Sequence, residues 1–164
     1  MNMMGYKETG VLSIDDLKEK GLLPSMERLE KGPIAIAECP EEIPCNICAN
    51  VCPFNAIEME KIYDLPRVNP DKCIGCGVCV PQCPGLAMFV IDLSKPGKAL
   101  ITLPYEFLPE PKKGLKVKLL SREGKVVGEG VIVKAWQYDK TWTVTVEVPR
   151  DKWFEVRAIW IPEK

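Results

Sequence analysis

CPEEIPCNICANVCP, residues 39–53, and CIGCGVCVPQCP, residues 73–84, are two versions of one pattern. An offset of 31 residues lays Cys45 on Cys76, Cys48 on Cys79, Cys52 on Cys83, Pro53 on Pro84 and Ala56 on Ala87. The shared unit is C-x2-C-x3-C-P-x-x-A followed by an apolar residue, Ile57 or Met88. The second copy has a further cysteine in front, Cys73, which completes C-x2-C-x2-C-x3-C-P. In the first copy Glu42 stands where the offset demands a cysteine, and the spare thiol, Cys39, lies three residues earlier. All eight cysteines of the 164-residue chain fall in this duplicated region.

Disulfides, zinc and iron–sulfur clusters are the three chemistries that could use them. The start MNMMGYKETG has no apolar core of signal-sequence type, and the longest apolar run, Leu86–Ile91, is six residues, far below the ~18 of a membrane span. A cytoplasmic chain without a membrane span is therefore expected, and there cysteines serve metals or redox chemistry rather than disulfides. Zinc sites use pairs of C-x2-C, and a triple run with a trailing proline, present twice, suits zinc poorly. The run does match that of bacterial-type ferredoxins, so residues 39–87 resemble the two-cluster ferredoxin family. Three cysteines two residues apart wrap one face of a cubane, and the fourth, followed by proline, leaves the loop. In two-cluster ferredoxins that fourth cysteine ligates the other cluster. The expected sets are thus Cys52, Cys73, Cys76 and Cys79 for one [4Fe-4S] cluster, and Cys39, Cys45, Cys48 and Cys83 for the other. Cys39 enters its set as the only thiol left. The alternatives are a three-iron cluster with Cys39 free, or Glu42 as an oxygen ligand. Gly75 and Gly77 are expected to let the backbone wrap tightly and to present amides to sulfur. Phe54, Ile57, Ile74, Val78 and Met88 are expected to line the clusters.

A wider resemblance covers GLLPSMERLEKGPIAIAECPEEIPCNICANVCPFNAIEM, DKCIGCGVCVPQCPGLAMFVID, ITLPYEFLPEPKKG and EVPRDKWFEVRAI. These segments are similar to the small ferredoxin-like subunits of FAD-dependent dehydrogenases of the proline, hydroxyproline or glycerol-3-phosphate type. The resemblance implies an electron-transfer subunit in a hetero-oligomeric complex with an FAD-containing dehydrogenase. It implies no catalysis by the chain itself.

The rest of the chain organises around the cysteines. Residues 1–38 read as a helical arm, with Ser13 capping Ile14–Lys20, Ser25 capping Met26–Lys31, and IAIA at 34–37 as a strand. Residues 39–95, rich in Pro and Gly, hold too little side-chain mass to fold without an inorganic core. Residues 96–164 read as a small β domain, barrel or sandwich, after a proline-punctuated connector with one strand at 99–103. Its alternation is clearest where Trp142, Val144, Val146 and Val148 interleave with Thr141, Thr143, Thr145 and Glu147. A helical turn over 151–155 and a strand over 157–161 close the chain. The four tryptophans, Trp136, Trp142, Trp153 and Trp160, are expected to pack the core of this region. GEG at 128–130 is too short for a dinucleotide loop and is expected at a bulge or turn. The fold class is α+β: a ferredoxin-like two-cluster domain with a helical N-terminal arm and a small antiparallel β domain.

Composition removes several functions. Histidine is absent, which excludes His-based catalysis and Rieske-type clusters. No nucleophile with a partner base and no phosphate-cradling loop can be found, so the chain is not expected to be an enzyme. Residues 39–95 carry seven acidic against four basic side chains, and residues 96–164 nine against thirteen. The basic half could meet an acidic partner or merely be solvated. A nucleic-acid module is disfavoured, because Lys112, Lys113, Lys116 and Lys118 are not interleaved with aromatics. A free ferredoxin, with the β domain only stabilising it, is the alternative to membership of a complex.

Overall fold

The computed structural model describes residues 5–162; the tetrad MNMM, which opens the stretch without a signal-type core, lies outside the described residues. The arm contains three short helices, α1 (Tyr6–Thr9), α2 (Ile14–Glu19) and α3 (Met26–Lys31). The Ser13 hydroxyl accepts from the Asp16 amide while the Asp16 carboxylate accepts from the Ser13 amide, a closed capping box. Ser25 caps α3 through the Arg28 amide. Leu17 and Leu29, the inward residues of α2 and α3, are fully buried.

Strand β1 (Ile34–Ala37) follows, then α4 (Ile47–Val51), β2 (Ile57–Glu58), β3 (Arg67–Val68), α5 (Cys79–Gln82) and β4 (Met88–Asp92). The strands obey the same 31-residue offset as the cysteines. β2 pairs with β3 through Ile57↔Val68 and Glu58↔Arg67. β1 pairs with β4 through Ala37↔Met88 and Ile36↔Phe89, the positions the offset demands. The repeat therefore begins at β1, before its first cysteine, and each copy completes the other's ribbon.

From β4 the sheet continues into β5 (Lys98–Tyr105), β6 (Lys116–Leu120), β7 (Val126–Tyr138), β8 (Thr141–Pro149) and β9 (Ala158–Trp160), all antiparallel, in the order β1-β4-β5-β8-β7-β6-β9. The composition break at 95/96 falls in the β4–β5 turn, inside this sheet. The connector strand runs two residues past the expected Leu103 and includes Pro104. Pro104 is tolerated because the β4 pairing stops at Val90↔Thr102, so that side of β5 is by then an edge. The inner face carries Ile36, Ile91, Ile101, Leu103, Val144 and Val146, all essentially without solvent contact. Ile159 and Ile161 of the chain end join the same core, which curls the sheet round on itself.

Three local expectations are corrected. Residues Val126–Tyr138 form one thirteen-residue strand, β7, so GEG lies inside a strand and not at a turn. The expected bulge does occur at the first glycine, where Leu119 pairs with Gly128 and Leu120 with Val126, and a second register shift lies at Ile132–Lys134. A Cβ on Gly130 would stand 2.6 Å from the Glu147 carbonyl oxygen, so glycine there permits close strand approach. The helical turn is a 3-10 turn at Arg150–Lys152 and the last strand is Ala158–Trp160. Trp142 and Trp153 pack against the core, but Trp160 is 52% exposed on an edge strand, and the Trp136 ring lies over Gly77 instead. No helix among the described residues is long and apolar enough to cross a membrane.

Candidate metal centres

The eight cysteines divide between two cavities. Cys52, Cys73, Cys76 and Cys79 line one, and every other side chain of its wall is apolar, Phe54, Ile57, Ile74 and Val78 among them. Cys39, Cys45, Cys48 and Cys83 line the other, with Ile43, Pro66 and Met88. Each cavity therefore draws three thiols from one copy of the repeat and one from the other. Glu42 is exposed and faces a separate acidic groove with Glu58, Glu60 and Asp64, while Cys39 shares the cavity. All eight thiols are free, with no disulfide between them. Among the described residues no three Cys, His, Asp or Glu gather closely enough for a single metal ion. A tetrahedral zinc, with Zn–S near ~2.3 Å, would need such a gathering. Four thiols spread round an apolar hollow suit the wider corners of a cubane.

Backbone amides meet the sulfurs at matching places. The Ala56 amide donates to Cys52 Sγ and the Ala87 amide to Cys83 Sγ, each at 3.4 Å. These are the alanines of C-P-x-x-A. The residues before them, Asn55 and Leu86, have φ of 51° and 52°, and this left-handed step turns the alanine N–H back onto the cysteine four residues earlier. Ala35 of β1 donates to Cys73 Sγ at 3.3 Å. Hydrogen bonds of this kind favour the anionic form of sulfur. The repeat displayed these alanines in the sequence, but not their purpose.

Gly75 and Gly77 take φ of 71° and 81°, the wrapped backbone expected of them. Gly75 also lies flat on Pro33, at the end of the arm: a Cβ would stand 2.4 Å from Pro33 Cβ and 2.7 Å from its carbonyl carbon and oxygen. Gly75→Ala is expected to cost about 1–2 kcal/mol in left-handed strain and a further ~1–3 kcal/mol in overpacking. The check is thermal stability and iron content; wild-type values for both would contradict the contact.

Burial opposes ionisation of the thiols. It pushes Cys79 up to about 12, with Cys73 and Cys76 adding to the effect, and Cys48 up to about 11. Cys39 is raised by burial first, then by Cys83 and Cys45. Loading metal must therefore displace protons, and the iron's own charge supplies that drive.

Other side chains hold the cysteine loops, and none of them showed in the sequence, because their partners are remote. Arg28 of α3 donates to the carbonyl oxygens of Pro70, Gly32, Pro33 and Cys73, fastening the arm to the Cys73 loop. Tyr6 donates to Glu41 at 2.7 Å, and that contact holds its phenol up at about 12. Glu38, next to Cys39, accepts from Arg122 Nε at 2.6 Å and from Arg157 Nε at 2.8 Å. The two guanidiniums also donate to the carbonyls of Phe154, Trp153 and Val156 and lie over the Phe154 ring. Burial lowers Arg157 to about 10, opposed by the Glu38 charge, so the guanidinium remains protonated at neutral pH.

Residues 43–87 match the 4Fe-4S dicluster domain family. The cofactor of this segment is the [4Fe-4S] cluster, and its chemistry is electron transport. The chain is 38% identical over 81 residues to a probable iron–sulfur protein of the Frd operon of Proteus vulgaris, covering 49% of this chain and 50% of that protein. It is 42% identical over 53 residues to the polyferredoxin-like subunit of an aliphatic sulfonate oxidoreductase of Pyrococcus furiosus, 32% and 28% of the two chains. It is 46% identical over 44 residues to one subunit of a Na(+)-translocating ferredoxin:NAD(+) oxidoreductase complex of Acetobacterium woodii, 27% and 13%. The matching segments span half or less of the length of these relatives. No solved structure matches the chain.

Proposed function

We propose that the chain is the electron-transfer iron–sulfur subunit of an oxidoreductase complex, relaying electrons between an acceptor and an FAD-containing dehydrogenase subunit. The observation that carries this reading is the division of eight thiols into two cavities of four, one with an otherwise apolar wall and one whose mainly apolar wall also holds Glu38 and Glu41. When bound, a [4Fe-4S] cluster in each supplies one-electron storage without an open coordination position for substrate. Cys52, Cys73, Cys76 and Cys79 hold one and Cys39, Cys45, Cys48 and Cys83 the other. The Ala35, Ala56 and Ala87 amides stabilise the thiolates, and the apolar walls keep water away. Cys76 is exposed and ringed by Phe54, Ile74 and Val78, which are 44%, 55% and 36% exposed. An apolar rim round a solvent-facing ligand supports this edge as the place where a partner exchanges electrons. With all eight thiols assigned to the two centres, the chain is read as a carrier of electrons for a catalytic partner.

Anaerobic purification from the native host, with iron, sulfide and flavin analysis of whatever stays attached, tests the reading. A flavin-bearing partner in fixed stoichiometry is expected. An iron-loaded monomer reduced by unrelated oxidoreductases would make it a free ferredoxin instead.

A further inference from the structure

We propose that Glu38, Arg122 and Arg157 form a buried charge triad, net +1, that raises the reduction potential of the centre at Cys39, Cys45, Cys48 and Cys83 relative to its twin. The inference rests on the ligand sets proposed above. It concerns residues that the cysteine pattern does not contain.

The carboxylate of the triad lines that one cavity, and the two guanidiniums stand behind it on Glu38. Glu38 is the residue before Cys39 and lines the same cavity. Its amide donates to the Ala87 carbonyl at 2.8 Å, and the Ala87 amide donates to Cys83 Sγ. Two of the four thiols of the set are thus joined to Glu38 through a peptide bond and a short hydrogen-bonded path. The side chains of Glu38, Arg157 and Arg122 are 5%, 3% and 14% exposed, so water screens them little. One carboxylate serves two cations. Arg122 Nη2 stands 2.6 Å from Glu38 Oε1 without hydrogen-bond alignment, and Arg157 Nη2 is buried with no partner among the described residues. The positive charge left over is therefore real and local.

Such a group is expensive. Replacing a buried triad by apolar residues is often neutral or stabilising, so stability alone is a weak reason to keep one. Uptake of an electron adds negative charge to a centre that four thiolates already make negative. The desolvated net positive charge behind the cavity wall favours the reduced state and moves the potential upward, while Glu41 on the same wall is half exposed and screened by water. The twin cavity has Arg28 nearby, but that guanidinium is only partly buried and spends its donors on backbone carbonyls. Water damps its field. Arg122 and Arg157 come from the β5–β9 region, which thereby acquires an electrical role beyond packing.

The test is an EPR-monitored redox titration of the anaerobic full-length protein. Arg122→Met removes a positive charge and is expected to move one midpoint negative; Arg122→Lys restores it. Glu38→Gln removes the negative charge and is expected to move the same midpoint positive. The other midpoint stays. Opposed signs on one centre are the signature of charge, since mere loosening of the Cys39 leg would push both variants the same way. Shifts of equal sign, shifts of both centres alike, or no shift overturn the proposal. If Glu38→Gln fails to load iron, the Arg122 pair decides it alone. A wild-type protein without two centres would overturn the ligand reading instead, and iron and sulfide analysis of the same sample tells the two failures apart.

Discussion

Cys52→Ala is expected to empty the centre at Cys73, Cys76 and Cys79 and leave the one at Cys39, Cys45, Cys48 and Cys83 loaded, so that iron per chain falls by about half. Cys52 lies in the first repeat and all three of its cavity partners lie in the second. Ligands that serve one centre act as a unit and do not add. The double variant Cys52→Ala/Cys76→Ala is therefore expected to hold as much iron as either single one. Cys52→Ala/Cys48→Ala, which strikes both centres, is expected to hold almost none. If the first pair abolished iron and the second spared half, each repeat would hold its own cluster and the crossed sets would be wrong. A secondary loss of stability is also expected. Cys52, Cys73 and Cys79 pack in the second core with Ala35, Ile57, Val80 and Met88, a core too small to stand without its inorganic part.

Glu38→Ala is expected to be the most damaging change outside the cysteines. It leaves two buried guanidiniums close together with no carboxylate between them. Breaking a buried ion pair costs on the order of 3–5 kcal/mol, against ~5–15 kcal/mol for a whole domain. For a chain of this size that corresponds to a fall of roughly 10 °C in Tm. The bleaching temperature of the cluster absorption reads it, since cluster loss makes the unfolding irreversible. A bleaching temperature equal to that of the wild type would show that the triad contributes nothing to holding the Cys39 leg.

The cysteine repeat made the grouping of the thiols round two cavities legible because ligand spacing is local and inorganic geometry is strict. The offset that aligns Cys45 with Cys76 also aligns Ile36 and Ala37 of β1 with Arg67 and Val68 of β3, which extends the duplicated unit back to Ile36, three residues before Cys39. The sheet was less legible. Period-2 alternation found β8, but it says nothing about the neighbours of a strand, so the pairing of β5 with both β4 and β8 could not be read. Pro104 and the prolines around it masked β5 as a connector, since a proline argues against a central strand unless one side is unpaired at that point. The glycines of GEG hid the continuity of β7 for a similar reason. The triad was invisible because its members, at 38, 122 and 157, share no spacing. Glu38 reads as an ordinary acidic residue before a cysteine until the fold delivers two arginines to it.

Iron and acid-labile sulfide per chain, measured on anaerobically purified protein, test the two-centre claim most directly. Two [4Fe-4S] groups require about eight of each, with zinc absent. Colourless protein with no labile sulfide, its thiols held by zinc or joined as disulfides, would contradict it.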